Sequence, residues 1–388
     1  MLRKWLRKIP LIWQQLMKEK VRLLVALAGI AFADILVFAN VGFESALFES
    51  STSPHRNLHA DLFIVNAHFE TLYYVQSFPR QRLYQARGFA GVESVTPLHV
   101  SLGTWTNPET KRSQRILTFG VNPANRTFLF PEVSRNLHKL QSINHILFDR
   151  TSLPEFGPIT SSFQKQGVVE AELNNTTVRV SGLFALGVSF AAYGNVITSD
   201  STFLSLFPYR NLDKIEVGLV QLKPNTNVEL IAHSLRDSLP ADVMILTKKA
   251  FIEMEERYWS QTTPIGFIFS LGVLVSLIVG IVIVYQILYS DISAHLTEYV
   301  TLKAIGYSNS LLLGILSQEA LFLAVLGYIP GFILTIGLYQ ITAVATMLPI
   351  YMTVERALIV LVLTSLMCFI SGVIAMGKLH SANPADLL

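Results

Sequence analysis

Four long apolar segments limit what this chain can fold into. They occupy residues 23–47, 264–288, 311–348 and 357–379. A helix needs about 20 apolar residues to cross the roughly 30 Å hydrocarbon core of a bilayer, and each segment reaches that length. The sequence therefore predicts a polytopic α-helical membrane protein with four transmembrane helices.

The charged residues are unevenly distributed along the chain. They make up 15% of its 388 residues, whereas an average soluble protein has about 25%. Residues 264–388 contain only three Lys or Arg and five Asp or Glu, while residues 48–263 have an ordinary soluble composition. We therefore expect a large α+β periplasmic domain over 48–263, between the first and second transmembrane helices. A plain cytosolic enzyme and a nucleic-acid-binding protein are both disfavoured.

The N-terminal segment predicts the orientation. Residues 1–22 contain seven Lys or Arg and one Glu, and basic residues before a first span favour a cytoplasmic N-terminus. Apolar residues there recur at helical spacing, which predicts an amphipathic helix in the lipid interface, a simple basic leader being the alternative. Four spans then give a cytoplasmic loop, a short periplasmic loop and a cytoplasmic tail, at 289–310, 349–356 and 380–388.

A cleaved signal peptide is the competing interpretation of this end. The tripeptide Ala31-Phe32-Ala33 resembles a cleavage site. A secretory signal, however, has an apolar region of only about 7–15 residues, and here the apolar run continues well beyond that length. We therefore interpret 23–47 as a retained transmembrane helix.

Within the outer domain, several segments have strand character. Asn174-Asn175 separates two of them and predicts a tight hairpin. The order strand, helix, strand over 216–222, 228–239 and 243–246 predicts a β-α-β unit, and an inserted subdomain is expected at about 134–205. The predicted strands are 62–65, 92–104, 115–121, 168–173, 176–183, 195–198, 216–222 and 243–246.

Residues 248–261 have a helical pattern and lead directly into the second apolar segment. A helix continuous with that segment would form a rigid rod between the outer domain and the membrane. An ordinary connector between domain and span is the alternative.

Motifs of catalysis or metal binding are not recognisable in the sequence. The nine histidines lack metal-ligand spacing. The segment 372–378 fits the first seven positions of a phosphate-binding loop, but Leu379 stands where Ser or Thr is needed, and an apolar span precedes it. We therefore expect a non-catalytic chain that binds no cofactor or metal. The lone Cys368 excludes an intrachain disulfide.

Three polar residues interrupt the apolar segments, namely Asp34, Gln318 and Glu319. An ionised Asp in the centre of a span costs at least about 2.5 kcal/mol on insertion scales. Either these groups form a polar or proton path, or they face neighbouring helices as bonded or protonated groups. Gly327 and Gly331, four residues apart, favour close helix packing.

The segment 295–331 resembles the permease signature of the MacB/FtsX superfamily of ABC transporters. The matching positions are Glu298, Leu302, Lys303, Ala304, Gly306, Glu319, Gly327 and Gly331. His295 and Tyr299 depart from the usual start of that motif. Within the superfamily, the N-terminal run up to Phe38 is most similar to DevC-type permeases of cyanobacterial glycolipid exporters.

This resemblance implies a homodimer in the bacterial inner membrane, surrounded by membrane lipid, with two separate cytoplasmic ABC ATPase subunits that bind ATP and Mg. The loop 289–310 would couple to the ATPase through Glu298, Leu302, Lys303, Ala304 and Gly306. A periplasmic HlyD-like adaptor and a TolC-like outer-membrane channel would complete an efflux system for glycolipid-like cargo. In the family, the second span transmits motion to the outer domains. Alternatives are a lipoprotein-releasing LolC/LolE-like permease and an FtsX-like regulator of a wall hydrolase.

Overall fold

The computed structural model describes residues 20–294, 301, 305 and 308–381. These residues divide into two compact units. The helical unit comprises Gly266–Ala343 together with the described residues up to Ser45 and from Ile350 onward. The sheet-rich unit comprises Ala46–Ile265 and Val344–Pro349. The predicted amphipathic helix over 1–22 lies almost entirely outside the described residues, and the predicted domain limits stay predictions.

The helices of the described residues are numbered along the chain. They are α1 (Lys20–Asn57), α2 (Gln81–Arg87), α3 (Pro131–Asn136), α4 (Ile159–Gln166), α5 (Asp200–Leu206), α6 (Val228–Ser238), α7 (Lys248–Arg257), α8 (Pro264–Ala294), α9 (Asn309–Thr346) and α10 (Val354–Ser381).

Four of these helices, α1, α8, α9 and α10, are long and apolar enough to cross a membrane by length and composition. The prediction of four apolar helices is thus confirmed. Their limits differ from the apolar runs, most clearly in α1, which continues ten residues beyond 47 to Asn57. The extension is polar, and the hydroxyls of Ser50 and Thr52 donate to the carbonyls of Leu47 and Phe48 in the same helix.

The helical unit has its own apolar core. Buried residues from all four helices form it, including Ile30 of α1, Leu288 of α8, Leu323 of α9 and Met367 of α10. Cys368 is buried in this core with a free thiol.

The strands of the described residues are also numbered along the chain. They are β1 (Leu62–Asn66), β2 (Phe78–Pro79), β3 (Val92–Thr106), β4 (Ser113–Val121), β5 (His145–Asp149), β6 (Val169–Leu173), β7 (Thr176–Phe184), β8 (Asn195–Ser199), β9 (Lys214–Ile215), β10 (Val217–Leu222) and β11 (Val243–Thr247).

Nine of these strands form one sheet in the order β11-β1-β10-β3-β4-β8-β5-β7-β6. The pairs β4–β8 and β5–β7 are parallel. The long strand β3 also pairs with β6 through Trp105 and Leu173, so six strands close on themselves at that end of the sheet. Trp105, Phe148 and Phe156 fill this closed part, while α2 and α6 contribute Leu83 and Leu235 to a separate core against β1 and β10.

Eight of the eleven strands in the described residues are predicted from the sequence, while β5 and the two-residue strands β2 and β9 are missed. The longest of the three is β5. This strand, HILFD, is buried along nearly its whole length, so it lacks the alternation that marks a half-buried strand. The predicted hairpin occurs between β6 and β7, where Asn174 and Asn175 have φ of 49° and 61°. Positive φ at both positions suits the twist of a two-residue hairpin.

The predicted β-α-β unit is present, with β10 and β11 parallel, but another strand is inserted into it. β10, α6 and β11 follow one another, but β1 lies between the two strands and is antiparallel to both. Periodicity within 216–246 does not reveal a strand that arrives from elsewhere in the chain. The strands of 134–205 belong to the same sheet as the rest, and a subdomain boundary there stays a prediction.

The rigid rod predicted through 248–261 is wrong. α7 ends at Arg257, a single π-helical turn covers Tyr258–Thr262, and Thr263 is extended with φ −99° and ψ 157°. α8 begins at Pro264. The proline ring clashes with a helical conformation of the preceding residue, which explains the interruption. In contrast, α1 is helical across the limit between the two units at Ser45, and its own proline, Pro54, lies in its last turn.

Candidate functional site

The two predicted packing glycines lie against α1. A Cβ added at Gly327 would lie 2.6 Å from the Cβ of Ile30. A Cβ at Gly331 would lie 3.0 Å from the Cβ of Asp34 and 3.1 Å from the carbonyl oxygen of Ala31. Because neither position has room for a side chain without movement, α9 and α1 approach closely at one site, which we call the α1–α9 contact.

Asp34 lies at this contact and is 1% exposed. The hydroxyl of Thr364 on α10 lies at hydrogen-bond distance from one carboxyl oxygen of Asp34 and 2.8 Å from the carbonyl oxygen of Val360. A hydroxyl has one proton, so both bonds form together only when the carboxyl group is protonated and donates to Thr364. Among the described residues, the other carboxyl oxygen of Asp34 has no hydrogen-bond partner.

Gln318 and Glu319 do not lie close to Asp34. Gln318 is half-buried and Glu319 is buried. Twelve residues of α9 separate Glu319 from Gly331, the neighbour of Asp34, which corresponds to about 18 Å along a helix. The carboxyl groups of Asp34 and Glu319 therefore do not form one cluster, and their predicted roles stay predictions.

The five predicted ATPase-coupling residues, Glu298, Leu302, Lys303, Ala304 and Gly306, lie outside the described residues. The described structure reaches Ala294 on one side of them and resumes continuously at Ser308 on the other.

Sequence reasoning missed a second contact between α9 and α1. The hydroxyl of Tyr339 donates to the backbone carbonyl of Phe38 at 2.5 Å. Gly42 makes this possible, because a Cβ there would lie 2.2 Å from the Tyr339 hydroxyl oxygen. The guanidinium of Arg356 lies 5.5 Å from the centre of the Tyr339 ring. Nothing in an apolar periodicity distinguishes Tyr339 from a lipid-facing tyrosine.

The sheet-rich unit contains a buried carboxylate that the sequence analysis also missed. Glu255 of α7 is fully buried and accepts hydrogen bonds from the Thr71 hydroxyl at 2.7 Å, the Leu72 amide at 2.9 Å and the Trp259 indole at 2.6 Å. We call this group the Glu255 junction. Three donors compensate for much of the cost of removing a carboxylate from water.

The Glu255 junction also includes the end of α1. His55 Nε2 lies 3.1 Å from Glu255 Oε2, and the His55 ring packs against Phe251 at 4.4 Å. This nitrogen has the distance of an ion pair but not the alignment of a hydrogen bond, and His55 Nδ1 has no hydrogen-bond partner among the described residues. The junction therefore touches the extended part of α1 and the π-helical turn before α8.

The pKa of the Tyr73 hydroxyl is affected by the buried environment and the charge of the junction. Burial, and secondarily the nearby charge of Glu255, raise the pKa of its hydroxyl. A signal for this site was present in the sequence, since Phe251, Glu255 and Trp259 are spaced by four. A carboxylate within an apolar helical stripe indicates a buried polar contact.

The described residues contain no group of three His, Cys, Asp or Glu that could hold a metal ion. The described contacts are between structural elements. α1 packs closely on α9 in the helical unit, and His55 near its other end lies 3.1 Å from the buried Glu255 carboxylate in the sheet-rich unit.

Comparison with known proteins gives one family match. Residues 270–384 match the family described as FtsX-like permease C-terminal. No curated protein matches the chain.

Three solved structures show limited similarity. The periplasmic region of MacB from Actinobacillus actinomycetemcomitans is 15% identical, with a TM-score of 0.34, over 51% of this chain and 92% of that one. The extracellular domain of the noncanonic ABC-type transporter YknZ from Gram-positive bacteria is 15% identical, with a TM-score of 0.32, over 48% and 99%. A domain of a putative permease protein from Porphyromonas gingivalis is 14% identical, with a TM-score of 0.31, over 50% and 89%.

These TM-scores are too low to support any conclusion about the sheet-rich unit. The family match covers α9, α10 and most of α8, which carry the α1–α9 contact and the partner of Asp34. In its C-terminal helical region, the chain is similar to an FtsX-like permease domain.

Proposed function

We propose that this chain is the permease subunit of an ATP-driven tripartite export system. It couples a separate ABC ATPase, which holds ATP and Mg, to movements of the sheet-rich unit on the outer side of a bacterial inner membrane. The observation that carries the proposal is the match of residues 270–384 to the FtsX-like permease family. The four apolar helices and the absence of a recognisable nucleotide-binding motif in the sequence support it.

The proposed topology places both ends of the chain and the loop 289–310 in the cytoplasm. Seven basic residues within 1–22 support this orientation. Glu298, Leu302, Lys303, Ala304 and Gly306 of the loop contact the ATPase. Two copies of the chain form the transporter. A periplasmic HlyD-like adaptor and a TolC-like channel receive an amphiphilic cargo, a glycolipid in the DevC-like form of this proposal.

The structure suggests which helix transmits the motion. The coupling loop leads directly into α9, and α9 packs on α1 through Gly327 and Gly331. α1 then continues to His55, beside the Glu255 junction, with Pro54 inside its last turn. The extended Thr263 interrupts the alternative path through α7 and α8. We therefore assign transmission to α1, in place of the second span.

The test of the function is ATP hydrolysis by a purified complex of this chain and its companion ABC ATPase in nanodiscs. Glu298→Lys and Gly306→Pro should reduce stimulation of the ATPase at least tenfold. Glu355→Lys is the matched control, since Glu355 is an exposed acidic residue in the first turn of α10, on the opposite predicted side. An ATPase that fails to bind the chain, or that is equally stimulated by all variants, contradicts the proposal.

An FtsX-like regulator that activates a wall hydrolase is the second candidate, because the same family match favours it. The transporter and the regulator are distinguished by the activity that the sheet-rich unit stimulates. Adaptor-dependent ATP hydrolysis with export of lipid supports the transporter, whereas activation of a purified wall hydrolase without export supports the regulator. Release of lipoprotein to a soluble carrier identifies the LolC/LolE-like alternative.

A further inference from the structure

The loop between β7 and β8 exposes two aromatic side chains. Phe190 is 53% exposed and Tyr193 is 44% exposed. The surrounding sequence, residues 180–199, contains no Asp, Glu, Lys or Arg over twenty positions. Most of these residues are buried, many of them in β7 and β8, whose interior position explains their lack of charge, whereas the turn between the strands exposes Phe190 and Tyr193.

The exposed Phe190 lies in a turn whose backbone is held by several hydrogen bonds. The carboxylate of Asp149 accepts from the amides of Leu186 and Gly187 at 3.2 and 2.9 Å. The amide of Ser189 donates to the carbonyl of Ala192 at 2.9 Å, and the Ala192 amide donates back to the Ser189 hydroxyl at 3.1 Å. Because the turn is held on both sides, it presents Phe190 in a fixed position.

The other side of this turn lies against residues close to the predicted membrane exits. The hydroxyl of Ser53 donates to the Leu186 carbonyl at 3.1 Å. Ser53 follows the predicted end of the first span by six residues, which corresponds to about 9 Å along α1. The Phe190 ring packs edge-on against Trp259 with centroids 6.0 Å apart, and Trp259 precedes the apolar helix α8 by five residues.

These positions lie near a lipid headgroup layer, with Ser53 about 2–4 Å beyond its outer limit. The polar layer on each face of a bilayer is roughly 5–7 Å thick, from a total of about 40–45 Å and a core of about 30 Å. Aromatic side chains concentrate in that layer. Phe190 packs on the buried Trp259, which contacts Tyr258 and leads along the chain into α8. The exposed Arg257 beside them suits a phosphate headgroup.

We propose that the turn 189–192 inserts Phe190 into the headgroup layer of the bilayer, with Tyr193 beside it, so that this loop is a lipid-binding surface of the sheet-rich unit. The occupant is the phospholipid surface itself. The inference rests on the proposed function only in placing the sheet-rich unit outside a membrane that α1 and α8 cross.

Lipid quenching in nanodiscs tests this directly. In a Cys368→Ser background, Phe190→Cys carries an environment-sensitive thiol dye in the full-length chain, with phosphatidylcholine spin-labelled near its headgroup as the probe. Ile143→Cys is the matched control, because Ile143 is also apolar and 74% exposed. Ile143 lies just before β5, and Asp149 at the other end of β5 holds the turn. Six residues of extended chain, or roughly 20 Å, therefore separate Ile143 from Asp149.

The dye at 190 should be quenched at least threefold more strongly than the dye at 143, and aqueous iodide should show the reverse order. Equal quenching by lipid at both positions, or strong iodide quenching at 190, overturns the proposal. A dye at 190 that neither quencher reaches also overturns it, since a protein partner then covers the turn. None of these outcomes depends on ATP hydrolysis, so failure here is distinguishable from failure of the proposed function.

Discussion

The chain passes between its two units at several places, and two of them, α1 and the segment that joins α7 to α8, are built differently. α1 is one helix of 38 residues from Lys20 to Asn57. The other connection changes from α-helix to π-helix to the extended Thr263 within a few residues before Pro264. A continuous helix transmits displacement along its axis, whereas a single extended residue between two helices permits rotation. In the proposed function, we therefore expect the first connection to act as a strut and the second as a hinge.

Both connections meet at the Glu255 junction. His55 arrives from α1 and Trp259 from the π-helical turn, and each contacts a different oxygen of the same carboxylate. Both connections therefore contact the Glu255 carboxylate, and removing this carboxylate should affect both of them.

The largest effect is expected from Glu255→Ala. The change leaves the Trp259 indole, the Thr71 hydroxyl and the Leu72 amide buried without their acceptor, and each loss costs about 1–3 kcal/mol. We expect the free energy of unfolding of the sheet-rich unit to fall by about 3–5 kcal/mol. Urea unfolding of the full-length chain in nanodiscs, followed by circular dichroism, measures this.

Glu256→Ala is the control for that measurement. Glu256 is adjacent but only partly buried, and it pairs with Arg56 across an exposed 3.4 Å contact. An exposed pair of this kind contributes about 0–1 kcal/mol. Equal effects of the two substitutions would mean that the junction does not anchor the unit.

A smaller effect is expected where α1 is held in the helical unit. Gly327→Ala places a Cβ 2.6 Å from that of Ile30, whereas Gly337→Ala in the same helix meets nothing within 4 Å. Overpacking typically costs about 1–3 kcal/mol, so Gly327→Ala should destabilise the helical unit and Gly337→Ala should not. Labelling of the buried Cys368 thiol during a detergent titration reports opening of the helices. Identical labelling of both variants would contradict the α1–α9 contact.

The smallest effect is expected at Asp34. Hydrogen bonds between transmembrane helices average about 0.6 kcal/mol, so Thr364→Val should cost about that much. Thr364→Ser keeps the hydroxyl and serves as its control. If the carboxyl group is protonated, Asp34→Asn should be nearly neutral, because a neutral amide replaces a neutral acid. The same Cys368 labelling assay measures all three, and a large loss in Asp34→Asn would indicate a charged carboxylate instead.

A feature could be predicted from the sequence when the residues that specify it are close together in the chain. Apolar length identified four membrane helices, and the asparagines at 174 and 175 identified a hairpin, because both signals are local. The insertion of β1 between β10 and β11 could not be predicted, since it pairs residues from 152 (Val65 and Val217) to 185 (Leu62 and Thr247) positions apart. The role of Glu255 needed the partners Thr71 and His55, which lie 184 and 200 residues away in the chain. Pro264 is a local signal for the break at Thr263, but helical spacing in 248–261 is compatible with both a continuous rod and an ordinary connector, so periodicity alone does not choose between them.

The central claim is that α1 transmits the motion and the α7–α8 connection does not. It is tested by adaptor-stimulated ATP hydrolysis in the reconstituted complex, comparing Glu49→Pro in α1 with Thr263→Gly in the hinge. A proline inside a helix removes a hydrogen bond and bends or breaks it, so Glu49→Pro should abolish the stimulation while basal hydrolysis persists. Thr263→Gly should retain stimulation within about twofold, because that residue is already extended. Loss of stimulation in Thr263→Gly with full stimulation in Glu49→Pro would contradict the claim.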